Sequence, residues 1–440
     1  MYTPETTIQN QNSRSKIQIG HMPTPTNHPE TIPTTPTMGT LEVRINAAGQ
    51  DLLNGLVRVL SQIPGGDSGP QQLAKELGID KVLASRILKA VRAPDPMSVV
   101  HRVPGPEPMR RLLKASAKLG VDPKDLVSAY SAVDQFESLI RSEIGDRSAL
   151  DAILSAWVPE ARREFELRRK QAAFRAMSQL KGAQADVYAE AVIFYPNPDN
   201  EHIDIVWIKA VIGLHRLRPG VRVKFTSHRQ IEDQSSRKTF TLDGDPVDSV
   251  SSATLKEYCS TPTPSLDTHN AGELMHYTLQ ENCFGASSSI DLVTCEVNRA
   301  EIKRYIPDER NRKAWASSDI NIPSKKMQFD VLVHKDLYNR SFPELRIYDT
   351  AINGQADIND PARDLDQLDL IESIDNLGEG LARFGSSLVP NYRKMIDQVC
   401  TTLQFDPAQL RGYRCTADYP IYGSQTAMIF STQDRKQDRK

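Results

Sequence analysis

From Gly39 to Leu180 apolar residues recur three and four positions apart, the spacing that lines one face of a helix. Beyond Gly182 they gather into short runs divided by turn residues. Within 51–62 the positions Leu52, Leu53, Leu56, Val57 and Leu60 form such a face, and Ile63, Pro64, Gly65 and Gly66 end it. Two short helices are expected next, before Pro94 and Pro96 break the pattern. A helix over about 106–119 opens on Pro106, whose missing N–H costs nothing in a first turn, and closes on Gly120. Asp122 and Pro123 start a long amphipathic stretch to Ile144, with Leu126, Tyr130, Val133, Phe136 and Ile140 on one side. The segments 146–157 and 160–180 predict two more helices.

The runs 188–195, 203–214, 221–226, 290–297, 328–334 and 345–348 predict strands, because Pro, Gly, Asn and Asp turn signals separate them. Helices return near 370–377 and 392–403, and 411–415 with 427–430 suggests a closing hairpin. The fold class expected is α+β, an all-α N-terminal half followed by a mixed α/β domain over 183–431. Residues 1–38 are dominated by Thr, Pro, Asn, Gln and Ser, cannot bury enough apolar surface to offset the entropy of ordering, and are expected to be a disordered tail. Globular character begins near Met38, which makes that residue an alternative start, and 432–440 is a charged tail. No internal repeat is evident.

The clearest local pattern lies between Pro70 and Lys89, PQQLAKELGIDKVLASRILK, which fits a helix-turn-helix within a domain over 39–120. Leu73 and Leu77 are one turn apart and suited to pack on the following helix, and Ala74 is small enough to let the two backbones approach. Gly78 falls where the first helix must end in a left-handed residue, which costs glycine least. Ile79 plugs the corner, Asp80 caps the second helix, and Ala84, Ile87 and Leu88 supply its buried stripe.

Charge sharpens this picture. The net charge is only −2, but 70–114 holds nine Lys or Arg against four acids and 159–181 seven against three. Over 350–375 the sign reverses, with seven acids against Arg363 alone. The basic excess therefore lies in the helical half, where it suits nucleic acid.

The Pro70–Lys89 pattern resembles the helix-turn-helix units of bacterial transcription regulators over about 20 of the 440 residues. The resemblance implies that the second helix, about 80–92, enters the major groove of double-stranded DNA. Its outward face would carry Lys81, Val82, Ser85, Arg86 and Lys89, with Gln71 near a phosphate and Arg92 extending the basic edge. Arg86 has the two-pronged geometry that guanine accepts, Ser85 suits a base edge or a phosphate, and Lys81 and Lys89 suit the backbone. Dimerisation is expected of such a protein, since a single unit makes few base contacts. The segment 121–182 would be a helical connector or oligomerisation segment. The layout, with turns at Ala93-Pro94-Asp95-Pro96 and Val103-Pro104-Gly105 ahead of a long C-terminal region, also looks like a group of uncharacterised bacterial proteins, a resemblance that implies no activity.

Other chemistry finds little support. The length predicts two or three folded units, and 39% hydrophobic with 25% charged residues is a globular composition. With no apolar run of signal-peptide or membrane-spanning length, a cytoplasmic location and no membrane partner are expected. Five cysteines, Cys259, Cys283, Cys295, Cys400 and Cys415, lack a C-x-x-C pair, so neither a disulfide framework nor a zinc site is expected. The pair His202 and Asp204 reads as incidental, and the acids Asp357, Asp360, Asp364, Asp366 and Asp369 as a solvated loop rather than a calcium site. Arg162, Arg163, Arg168, Arg169 and Lys170 interleave with Glu160, Glu164 and Glu166 as helical ion pairs. Trp207 and Trp315 read as core or interface. Phosphate-cradling loops and nucleophile elbows are absent, so no catalytic residue, metal or cofactor is expected. Two alternatives stay open: a scaffold whose helical hairpin binds a protein partner, and an enzyme of unknown chemistry in the C-terminal domain.

Overall fold

The structure is a computed structural model and describes residues 38–65, 69–229, 239–247, 250–271, 274–280, 283–306, 312–338 and 341–432. The tails expected over 1–38 and 432–440 lie outside these residues except for Met38 and Thr432.

The N-terminal half is helical. In chain order it holds α1 (Met38–Ser61), α2 (Pro70–Leu77), α3 (Lys81–Val91), α4 (Pro96–Arg102), α5 (Pro106–Lys118), α6 (Pro123–Leu139), α7 (Arg147–Leu154) and α8 (Pro159–Lys181). A π-helical turn, Ile140–Ile144, extends α6. Prolines open α2, α4, α5, α6 and α8, where the first N–H has no helical partner to lose. Asp80, Asp95, Asp122 and Asp146 accept from the free amides of Leu83, Ser98, Lys124 and Ala149, so α3, α4, α6 and α7 begin at side-chain caps.

These helices share one core running from Ile45 to Ala161, with Leu52, Leu73, Ile87, Val99, Leu112, Phe136 and Leu150 buried in it. It continues across residue 120, because α6 contributes Leu126, Ala129, Val133 and Phe136 to the cluster that α1 lines. Close approach to α1 depends on two glycines: a Cβ at Gly49 would stand 2.2 Å from Pro96 O, and one at Gly55 2.9 Å from Ala129 Cα. Val57, expected on the buried face of α1, is instead 45% exposed. The buried positions Leu52, Leu56, Val59, Leu60 and Ile63 centre that face about a third of a turn away from it.

The C-terminal half is mostly sheet, so the class is α+β as expected. Its strands are β1 (Ala183–Pro196), β2 (His202–Arg216), β3 (Lys224–Arg229), β4 (Thr239–Phe240), β5 (Leu266–Ala271), β6 (Leu274–Leu279), β7 (Ile290–Lys303), β8 (Lys313–Asp319), β9 (Ser324–His334), β10 (Glu344–Asp349), β11 (Ile374–Glu379), β12 (Leu410–Asp418) and β13 (Ser424–Ser431). An α-helix, α9 (Tyr392–Leu403), falls between β11 and β12 at the position the pattern predicts. The main sheet has the order β11-β12-β9-β1-β2-β7-β4, with β1 and β9 parallel and the other pairs antiparallel. Two smaller sheets have the orders β10-β13-β8 and β3-β6-β5.

Alternation along β1 assigns its two faces. Tyr188, Val192 and Phe194 join Phe329, Val331 and Cys415 against Ala316, Met428 and Phe430 of the β8–β13 layer. Val187, Ala189, Ala191 and Ile193 pack with Met395, Ile396 and Val399 of α9. The main sheet is thus buried on both faces along its central strands.

Two expectations fail here. The helix expected over 370–377 is replaced by β11, which pairs antiparallel with β12 from Ile374↔Cys415 to Glu379↔Arg411. Leu370, Ile371, Ile374 and Leu377 do stand at helical spacing, but none of them is buried; pairing at the sheet edge overrides the local periodicity. The segments 411–415 and 427–430 are both strand but not a hairpin. β12 lies between β9 and β11, and β13 between β8 and β10, so each is the middle strand of a different trio.

α8 joins the halves. Arg162 pairs with Asp369, Glu166 accepts from the Ile371 amide, and Gln171 donates to Tyr419 Oη at 3.1 Å. Lys170 and Glu372 form an ion pair whose side chains are 7% and 5% exposed. The helical ion pairs expected on α8, Arg162 with Glu166 and Arg168 with Glu164, form at 2.9 and 3.0 Å.

Candidate nucleic-acid interface

The unit α2–turn–α3 is built almost wholly from local interactions. α2 buries Leu73 and Leu77, and its chain reverses at Gly78, where φ is 61° and ψ 34°. The Ile79 amide donates back to Ala74 O at 3.1 Å and the Gly78 amide to Lys75 O at 3.4 Å, the paired bonds that satisfy the last carbonyls of a helix ending in a left-handed residue. Ile79 and Ala74, both half-buried, pack against the helical core. Asp80 then caps α3 through Oδ1, which accepts from the Leu83 amide at 2.8 Å. Leu83, Ala84, Ile87, Leu88 and Ala90 form the buried face of α3, two positions more than the sequence pattern singles out.

Burying that stripe turns the opposite face outward. Lys81, Arg86, Lys89 and Arg92 are exposed and Ser85 is half-buried, while Val82 is 71% exposed between them. Lys81, Ser85 and Lys89 are four residues apart and form one row along the axis, with Val82 and Arg86 beside it. Arg92 is the first residue past α3. Gln71 is exposed in the first turn of α2, on a different element from the rest.

Three further features were not singled out in the sequence. Arg86 Nη2 donates to Val103 O at 3.3 Å, so one arm of its guanidinium is held against the Val103-Pro104-Gly105 turn. Arg147 donates to the carbonyls of Val100 and His101 at 3.1 and 2.7 Å, which places a cation over the C-terminal end of α4. Burial pulls the Arg147 guanidinium below its usual value, and the nearby positive charges of Arg86 and Arg168 act in the same direction. Arg102 donates to Lys89 O and pairs with Glu160 at the start of α8. That hydrogen bond is the main reason the Glu160 carboxyl is held below the ordinary carboxylate range. The cations beside α3 on α4 and α7 are thus both paired with acids, Arg102 with Glu160 and Arg147 with Asp151 at 3.1 Å. The sequence signal for Arg102 was present only as local charge excess, and Arg147 lies outside both basic windows; the carbonyls and the Glu160 carboxylate they meet are elsewhere in the chain.

Among the described residues no group of three or more His, Cys, Asp or Glu is arranged to hold a metal ion, and no helix is long and apolar enough to cross a membrane. His202 pairs with Asp199, while Asp204 is fully buried and accepts from Asn197, Arg299 and the Ala300 amide, a structural role. Asp364 and Asp366 pair with Arg346 and Arg363.

No family model matches the chain, and no curated protein matches it. Among solved structures it is similar, over 57% of its length and 40% of the other's, to the crystal structure of a "putative protease" from Parabacteroides distasonis, at 9% identity and a TM-score of 0.23. The chain spans less than half the length of that protein, and a likeness at this score carries no argument about fold or function.

Proposed function

We propose that this protein is a cytoplasmic transcription regulator that binds double-stranded DNA as a homo-oligomer, with α3 in the major groove. The observation that carries the reading is the capped α2–α3 unit, whose packing buries Leu83, Ala84, Ile87 and Leu88 and leaves Lys81, Arg86, Lys89 and Arg92 on the outward face. Lys81 and Lys89 neutralise phosphates, Ser85 bonds a base edge or phosphate, and the arm of Arg86 not engaged by Val103 addresses guanine. Gln71 contacts a phosphate from the start of α2, and the sheet half serves oligomerisation or effector sensing.

Selection of the full chain against a randomised duplex library tests this. The expected result is an enriched motif, of two half-sites, that Arg86→Ala with Lys89→Ala no longer retains. Enrichment of no motif, or the same motif bound equally by the double variant, overturns it. A second reading rests on Val82, whose exposed side chain suits apolar contact with another protein. Val82→Asp abolishing capture of a protein partner, with no duplex retained by either form, would favour that reading instead.

A further inference from the structure

A cavity of about 320 Å³ lies against β1, β2 and β7, walled by Phe225 and Thr226 of β3 and Thr239 of β4. Its floor is set by strand register: Glu190 stands opposite Lys209 and Lys209 opposite Thr294, while Trp207 stands opposite Glu296 and Asn298 opposite Ile205. Elsewhere on this face of the same strands the side chains are apolar, as at Val192, Val211 and Leu292. A surface needed only for packing would continue that series, because burying charged groups costs free energy even when they are paired. Lys209 Nζ lies 3.4 Å from Glu190 Oε1 and is held between two rings, 4.8 Å from the centroid of Tyr188 and 5.3 Å from that of Phe225. Tyr188 Oη lies 3.1 Å from the same carboxylate oxygen. Thr294 is only 4% exposed. Thr239 Oγ1 donates to Asn298 Oδ1 at 2.8 Å, which uses the acceptor of that amide and keeps its donors for another group.

We propose that this cavity binds a small neutral ring bearing several hydroxyl groups, a molecule of the sugar class. Hydroxyls both donate and accept, which matches a floor where carboxylates, an ammonium, threonine hydroxyls and an amide alternate over neighbouring strands. Lys209 pairs with Glu190, and the floor as a whole strongly favours neither a polyanion nor a polycation. Trp207, half-buried, offers an apolar face to the ring carbons, and the volume is at the small end for ligand pockets. The proposal concerns the sheet half alone, and its failure leaves the reading of α3 untouched.

Calorimetric titration of the full chain with a panel of neutral mono- and disaccharides tests it, with spermidine and citrate as cationic and anionic arms. At least one neutral sugar is expected to bind saturably. Thr294→Leu, which fills the floor, and Glu296→Gln, a near-isosteric change at a half-buried position, are each expected to weaken binding about tenfold or more with unchanged far-UV circular dichroism. If Thr294→Leu disturbs the fold, Glu296→Gln decides. The proposal is overturned if no sugar saturates at tens of millimolar, if only spermidine or citrate binds, or if Glu296→Gln binds the sugar as the parent does.

Discussion

Gly78 has open space around its α-carbon, with no atom within 4 Å of a Cβ built there, yet its φ is +61°. Substitution is therefore penalised by backbone conformation alone: Gly78→Ala is expected to cost about 1 kcal/mol in urea unfolding, with contacts unchanged. Asp80→Ala, which removes the α3 cap, is expected to cost about 1 kcal/mol as well. A loss near zero for either would mean that the turn is held by packing on the core instead. Asp319 makes a different case. Burial, assisted by the charge of Glu190, pushes its carboxyl from the usual 3.8 up to about 6. The unfolded chain releases this proton near pH 3.8 and the folded chain only near 6, so the group's penalty to stability is absent below that interval and complete above it. Asp319→Asn removes the penalty. Its stability relative to the parent should rise from pH 4 to 6 and then level off, and a difference constant with pH would count against this assignment.

Among the elements, α2 and α3 were legible in the sequence because every determinant lies within about 20 residues: the leucine spacing, the glycine, the aspartate cap. The same holds for α9, whose buried Tyr392, Met395, Ile396 and Val399 are spaced as a helix face. β11 was not legible, since its partner β12 is remote in sequence and its own apolar residues mimic a helix. The trios that separate β12 from β13 are likewise a property of the sheets rather than of either strand. Nor did the pattern disclose why α1 contains Gly49 and Gly55, which acquire meaning only when α4 and α6 cross them. At Gly49 the obstacle is the Pro96 backbone, so Gly49→Ala is expected to cost roughly 1–3 kcal/mol, read by chemical denaturation, despite alanine's better helix propensity. A stabilised variant would contradict so close a crossing of α1 and α4.

At the scale of the whole molecule, α8 touches both halves: Glu160 meets Arg102 beside α3, and Lys170 meets Glu372 at the sheet. The arginine cluster of α8 was readable as helical ion pairs, but the partner of Lys170 is 202 residues away and left no local trace. Removing one member of a buried pair strands the other's charge, so Lys170→Met is expected to cost about 3–5 kcal/mol, most of it recovered when Glu372→Leu is added. Equal losses in the single and double variants would show that the pair does not hold α8 to the sheet.

The candidate interface itself was only partly legible. Lys81, Ser85, Arg86 and Lys89 fall on one face of α3 by helical geometry, whereas the tether of Arg86 to Val103 and the cations of α4 and α7 depend on tertiary packing. The central claim is that this face meets DNA phosphates, and the most direct measurement is duplex affinity against salt concentration. For the full chain, log Kobs should fall linearly with log salt, and Lys81→Ala with Lys89→Ala should reduce the slope by about two, one for each lost phosphate contact. A parent that binds no duplex at low salt, or a double variant with an unchanged slope, would contradict it.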